Sequence, residues 1–126
     1  MPSQIEAVTT AALSAALAGA SRRHALTAAN IANAGTESFQ PLRLSFDAQM
    51  EEARGAWREN GLKDMRLVEA LRGAATQPAE PLEGGTVRLD VEMSELARNA
   101  VQFQALVQGV SRHLSLLALA AADGRK

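Results

Sequence analysis

One run limits the folding of this chain more than any other: the apolar positions Met93, Leu96, Ala100, Phe103, Val107, Val110, Leu114, Leu117 and Ala121. Their steps of three and four alternate without a break, so all of these side chains fall on one stripe of a helix with a 3.5-residue period. Such a stripe receives another helix, knob into hole. It predicts a helix over 91–122, roughly 48 Å long at 1.5 Å per residue, well beyond the about 11–12 residues usual in compact domains. Asp90 is placed to cap its start, with Glu92 and Glu95 in the first turns. Arg112, His113, Arg125 and Lys126 gather towards the other end, where cations complement the helix dipole. Gly124 is expected to stop the helix in a left-handed conformation.

A second long helix is predicted over 3–34. Pro2 suits a helix start, Ser3 is a candidate cap with Glu6 three residues on, and no proline follows until Pro41. Leu13, Leu17, Ala20, His24, Thr27 and Ile31 form one seam, and Ile5, Val8, Ala12, Ala15 and Gly19 form a neighbouring apolar line. Alanine is frequent throughout, so other helices can approach closely on more than one side. Asn33 and Gly35 tolerate the left-handed conformation that ends helices, and Thr36 to Ser38 carry turn chemistry.

Between the two helices, residues 35–90 read as a turn, a variable middle and a linker. Leu42, Leu44 and Phe46 alternate with Arg43 and Ser45 behind Pro41, as an extended piece over 42–50 would. From Glu51 to Gly85 glycines and prolines punctuate the pattern, leaving room for a short helix from Leu62 to Leu71. Gln77-Pro78-Ala79-Glu80-Pro81 has linker composition. Thr86-Val87-Arg88-Leu89-Asp90 alternates again. The middle is expected to be loosely folded, with Trp57 as a local packing anchor.

With 126 residues the chain is long enough for one domain, 1–126, and the fold class expected is mainly α: two long terminal helices in a hairpin or coiled coil with a loose middle. Aromatic residues are only 3% of the chain, so its apolar surface is mostly alanine, leucine and valine, which favours close helix packing over a bulky core. A net charge of -1 sets up no field for a polyanion and argues against nucleic acid. No cysteine is present, which removes disulfide and thiol chemistry. Thr9, Thr10 and Ser14 interrupt the N-terminal apolar run, so a cleaved secretory signal is not expected. Nor does any window approach the run of about 18 apolar residues needed to span a membrane.

Catalytic chemistry is not foreseen. His24 and His113 have no ligand neighbours at helical metal-site spacing. Glu51, Glu52 and Glu59 read as a solvated face rather than an acid–base pair. Gly84-Gly85 lacks the lysine of a phosphate loop. No cofactor, metal or small-molecule substrate is therefore expected. Asn30 and Asn33 leave two readings open: helix capping, or a polar contact that fixes register with a neighbouring subunit.

Leu26, the run Ala28-Ala29-Asn30-Ile31-Ala32-Asn33-Ala34, Thr36 and the aromatic Phe39 resemble the signature of flagellar basal-body rod and hook proteins. In that family the run ends in Thr-Pro-Gly-aromatic; here Glu37 and Ser38 stand in place of Pro-Gly. Leu44-Ser45-Phe46-Asp47 resembles the stretch that commonly follows. Gly85-Thr86-Val87, Leu89-Asp90, Glu92-Met93, Glu95-Leu96, Asn99 and Phe103-Gln104-Ala105 resemble the entry to the family's C-terminal helix. The short middle is most like that of proximal-rod members.

The resemblance implies a structural subunit of the basal body, with terminal helices forming a tube wall around an export channel. It implies export through the flagellar type III apparatus without a cleaved signal. The partners implied are other copies of the chain, other rod proteins, the rod adaptor and membrane-ring proteins, and the export apparatus. Subunit contacts would then fall on Leu13, Leu17, Ala20, Leu26, Asn30, Ile31, Asn33 and Phe39 of the first helix and its turn. On the second they would fall on Met93, Leu96, Ala100, Phe103, Val107, Val110, Leu114 and Leu117. In the simplest hairpin the two seams face each other, and the second N-terminal line, with Leu106 and Leu116, stays exposed. Without the resemblance, a soluble helical adaptor or chaperone-like binder whose seam is covered by one partner remains open.

Overall fold

A computed structural model describes residues 2–44, 47–60 and 65–124. Two long helices dominate it, α1 (Pro2–Ala32) and α4 (Leu89–Asp123). They run antiparallel: Asn30 meets Glu92 near one end, Ala20 meets Asn99 in the middle, and Thr10 meets His113 near the other. The hairpin predicted from the two apolar patterns is therefore the frame of the molecule.

The middle holds more helix than its sequence suggested. Besides strands β1 (Leu42–Arg43) and β2 (Glu80–Pro81) it contains α2 (Asp47–Asn60) and α3 (Met65–Thr76). The strands pair antiparallel, Leu42 opposite Pro81 and Arg43 opposite Glu80. The extended piece expected over 42–50 is confined to β1, and 47–50 lie in α2. Ser45 and Phe46, part of that expectation, lie outside the described residues, as do Leu62, Arg125 and Lys126. Residues 86–88 form no strand before α4 begins.

Helix α3 presents Leu67, Val68, Ala70 and Ala74 inward at helical spacing, and α2, among its described side chains, contributes Ala53 and Ala56. The two alanines explain why α2 was missed, because alanine marks an apolar face too weakly to show a period. The core joins Ala53, Ala56, Leu67, Val68 and Ala70 to Val8 and Ala12 of α1, with Ala11 and Leu71 packed against it. Side by side the helices run α2, α3, α1, α4. Arg22 of α1 donates to the carbonyls of Ala75, at 3.0 Å, and Gln77, tying down the end of α3.

This order corrects one expectation. Val8, Ala12 and Ala15, in the second apolar line of α1, are buried, and that line faces α3; Gly19 lies on Ala75. A hairpin alone would have exposed it, and α3 is the element that the sequence pattern underweighted. Trp57 is likewise not a packing anchor. The residue is 53% exposed at the rim of a shallow apolar depression beside Leu67 and Leu71.

Both predicted caps of α4 also differ. The helix starts behind Arg88, which is extended (φ -100°, ψ 104°) and offers no side-chain cap, so Asp90 lies inside the first turn with Glu92. There its carboxylate still meets the positive end of the dipole. Gly124 keeps right-handed angles (φ -66°, ψ -12°) and continues the helical pattern by donating to Ala120.

Candidate interaction surface

The closing turn of α1 is held by a buried polar knot. Asn30 is only 2% exposed. Its Nδ2 donates to the Leu42 carbonyl at 2.9 Å and to Glu92 Oε2 at 3.2 Å, while its Oδ1 accepts from the Leu42 N–H at 3.1 Å. The side-chain amide thus pairs with both backbone groups of Leu42, as a neighbouring strand would. Glu92, 1% exposed, takes its second partner from Arg43. A buried carboxylate is tolerated when paired and hydrogen-bonded in this way. One knot therefore joins the end of α1, strand β1 and the start of α4. Asn33 acts differently: Nδ2 donates back to the Ala29 carbonyl at 2.9 Å and Oδ1 accepts from Thr36 at 3.4 Å, closing the turn at the surface.

Beyond the knot, a cleft of about 230 Å³ lies between α1 and α4, lined by Arg23, Leu26, Thr27, Glu95 and Arg98 among others. Burial holds the Arg23 guanidinium below its ordinary value, and the Glu95 carboxylate opposes that shift. Deeper in, Asn99 donates to the Ala20 carbonyl at 2.8 Å, where Ala20 is fully buried. Leu13 lies 3.9 Å from the position of a β-carbon on Gly109, and Thr10 Oγ1 is 3.0 Å from His113 Nε2. Leu17 and Ile31 are half-buried, as is Phe39 in the turn that follows.

The α4 face turned to α1 is therefore Glu92, Asn99, Leu106 and His113, each seven residues from the next. The predicted seam is only partly involved. Leu96, Val110 and Leu117 are half-buried at its margin, with Phe103 36% exposed. Met93, Ala100, Val107, Leu114 and Ala121 face outward, Met93 at 54% and Leu114 at 52% exposure. The expectation that the seams cover one another is corrected here, and Leu106 turns inward rather than outward. Leu116, like Val101 and Leu119, is exposed as foreseen for Leu116. Sequence reasoning missed Glu92 and Asn99 as interior groups; the signal was their seven-residue spacing with His113, hidden by the cleaner apolar series one residue later.

By length and composition alone Leu89–Asp123 is long and apolar enough to cross a membrane, and none of its most apolar window is buried. This revises the expectation that no stretch approaches that threshold. Among the described residues no group of three or more histidines and carboxylates is placed to hold a metal ion.

The class defined here is a helical hairpin pinned by buried polar contacts, with an apolar column left facing outward. No family model and no solved structure matches the chain. Curated relatives do. A flagellar basal body rod protein FlgB of Cereibacter sphaeroides is 32% identical over 105 residues, 74% of this chain and 77% of the relative. The FlgB of Yersinia ruckeri is 28% identical over 97 residues, 66% of this chain and 71% of the relative. The chain belongs to the FlgB family of flagellar basal body rod proteins.

Proposed function

We propose that the chain is a structural subunit of the proximal part of the flagellar rod and assembles through α1 and α4. The observation that carries this reading is the uncovered column Met93, Ala100, Val107, Leu114 and Ala121, which runs nearly the length of α4 with no charged residue in it. Exposed apolar side chains aligned along one face of a helix mark a surface on which a partner is stabilised by removing them from water. The hairpin presents it on one side alone, so a second copy covering it from another face makes a heterologous contact, and such contacts propagate into open helical polymers. In this reading Leu13, Leu17 and Ala20 serve packing within the subunit. The turn from Leu26 to Phe39, fixed by the Asn30 knot and the Asn33 cap, aligns one subunit on the next.

The partners proposed are other copies of the chain, other rod proteins, the rod adaptor and membrane-ring proteins, and the export apparatus that delivers the subunit without removing a signal. The place proposed is the basal body. No catalytic step and no cofactor enters this role.

Replacing Leu114 and Leu117 with Asp is expected to abolish rod assembly and motility; intact motility would overturn the reading. Because Leu114 is half exposed, Leu114→Asp alone should change the stability of the isolated chain by less than about 0.5 kcal/mol. Sedimentation velocity over a wide concentration range provides the second check. Mass that climbs without a plateau supports open assembly, whereas one small fixed stoichiometry moves the adaptor reading to first place.

A further inference from the structure

Helix α4 carries two columns suited to face α1, and it turns the more polar one inward. Glu92, Asn99, Leu106 and His113 lie against α1, whereas Met93, Ala100, Val107 and Leu114, each one residue later and so about 100° further round, lie outside. On apolar content alone the order should be reversed. α1 offers Leu13, Leu17 and Ala20 to its partner, and burying Met93, Ala100, Val107 and Leu114 there would remove more apolar surface from water than burying Glu92, Asn99, Leu106 and His113.

What holds the observed rotation is a set of three polar contacts distributed along α1. Glu92 accepts from Asn30, Asn99 donates to the Ala20 carbonyl, and His113 meets Thr10. Each sits at the same heptad position, so a turn of one residue breaks all three together. It would also carry the Glu92 carboxylate away from both of its donors, Asn30 and Arg43, and hydrogen bonds to a charged group are the costlier ones to lose in a packed interior. The Arg43 guanidinium reinforces the first contact from the opposite side of Glu92.

We propose that Glu92, Asn99 and His113 form a rotational lock that keeps the apolar column of α4 facing outward in the free subunit, against the attraction of that column for α1. The lock withholds the column from the subunit's own first helix. Buried asparagine is known to select register between helices at the expense of stability, and here it selects rotation about the helix axis. The use made of the open column rests on the assembly reading above; the rotation itself does not, and it is measured separately.

Since the chain has no cysteine, a single introduced thiol reports one position. Val107→Cys places it on the outward column and Leu106→Cys on the inward one. At concentrations where the chain is monomeric, the thiol at 107 should react with a maleimide faster than the thiol at 106. With Glu92→Leu, Asn99→Leu and His113→Leu together, the rate at 107 should fall and the rate at 106 should rise, each on the order of tenfold. Unfolding would raise both rates, so only a rotation moves them in opposite directions. Asn99→Leu alone, which removes one hydrogen bond, and Glu92→Gln, which leaves one acceptor for the two donors Asn30 and Arg43, must each give the same pair of directions by a smaller factor. Rates that rise together or stay where they are in the Leu variants would overturn the lock. That result would leave the polymerisation measurement untouched, and a failure to polymerise would leave the thiol rates untouched.

Discussion

Ser38 shows how one backbone angle can record a family pattern. Its φ is +68°, in the left-handed region, and the Phe39 N–H donates to the Thr36 carbonyl across it at 3.4 Å. A positive φ at the third residue is what a type II turn requires, and glycine adopts it without steric penalty. The turn thus stands where the family's Pro-Gly pair would put it, with serine carrying the strain. Ser38→Gly is expected to raise stability by about 0.5–1 kcal/mol in urea unfolding, the left-handed penalty being partly offset by glycine's greater freedom in the unfolded chain. Asn30 predicts a larger change of opposite sign. Removing its amide leaves the Leu42 N–H and carbonyl and one Glu92 oxygen short of partners, so Asn30→Ala should lower stability by about 2–4 kcal/mol in the same measurement. Part of this role was legible beforehand, since an asparagine at a helix end invites a capping reading. Its actual partner was not: Leu42 lies on a strand that no local pattern could place against α1.

At the scale of elements, periodicity revealed that α1 and α4 exist and pair, and it failed to say which way α4 faces. The reason is physical. A seven-residue repeat sorts side chains onto columns, but the choice between adjacent columns depends on groups in the partner helix, and Asn30, Ala20 and Thr10 are remote in sequence from Glu92, Asn99 and His113. Helix α3 was partly readable from Met65 and Val68 within the expected helix from Leu62 to Leu71, though Leu67 and not Met65 proves buried, and α2 hardly at all from Ala53 and Ala56. The packing of α3 on α1 makes its own prediction at Gly19, which sits inside α1. A β-carbon there would lie 3.8 Å from Ala75 Cα and Cβ, an ordinary contact. Gly19→Ala should therefore stabilise the chain by about 0.5–1 kcal/mol through helix propensity, seen as a higher midpoint in urea. Gly19→Leu should lower that midpoint instead, because the longer side chain would have to displace the end of α3 that Arg22 holds.

For the whole molecule, the row α2, α3, α1, α4 sets up an asymmetry between the two long helices. α1 is covered on two sides, by α3 and by α4, whereas α4 has α1 as its chief neighbour. The chain reaches α4 through Gly84 and Gly85, both at positive φ in an exposed turn. α4 lies at one edge of the row, as α2 does at the other, so it can leave without breaking the contacts of α1 with α3 or of α3 with α2. Native-state hydrogen exchange should accordingly show the amides of α4 opening at a lower free energy than those of α3 and of α1 where it faces α3. Uniform protection across all four helices would contradict it. An isolated subunit is then better pictured as a three-helix body with a removable arm, and a neighbour that grips the arm's bare side would suppress fraying in a helix whose own chain secures it along only one flank.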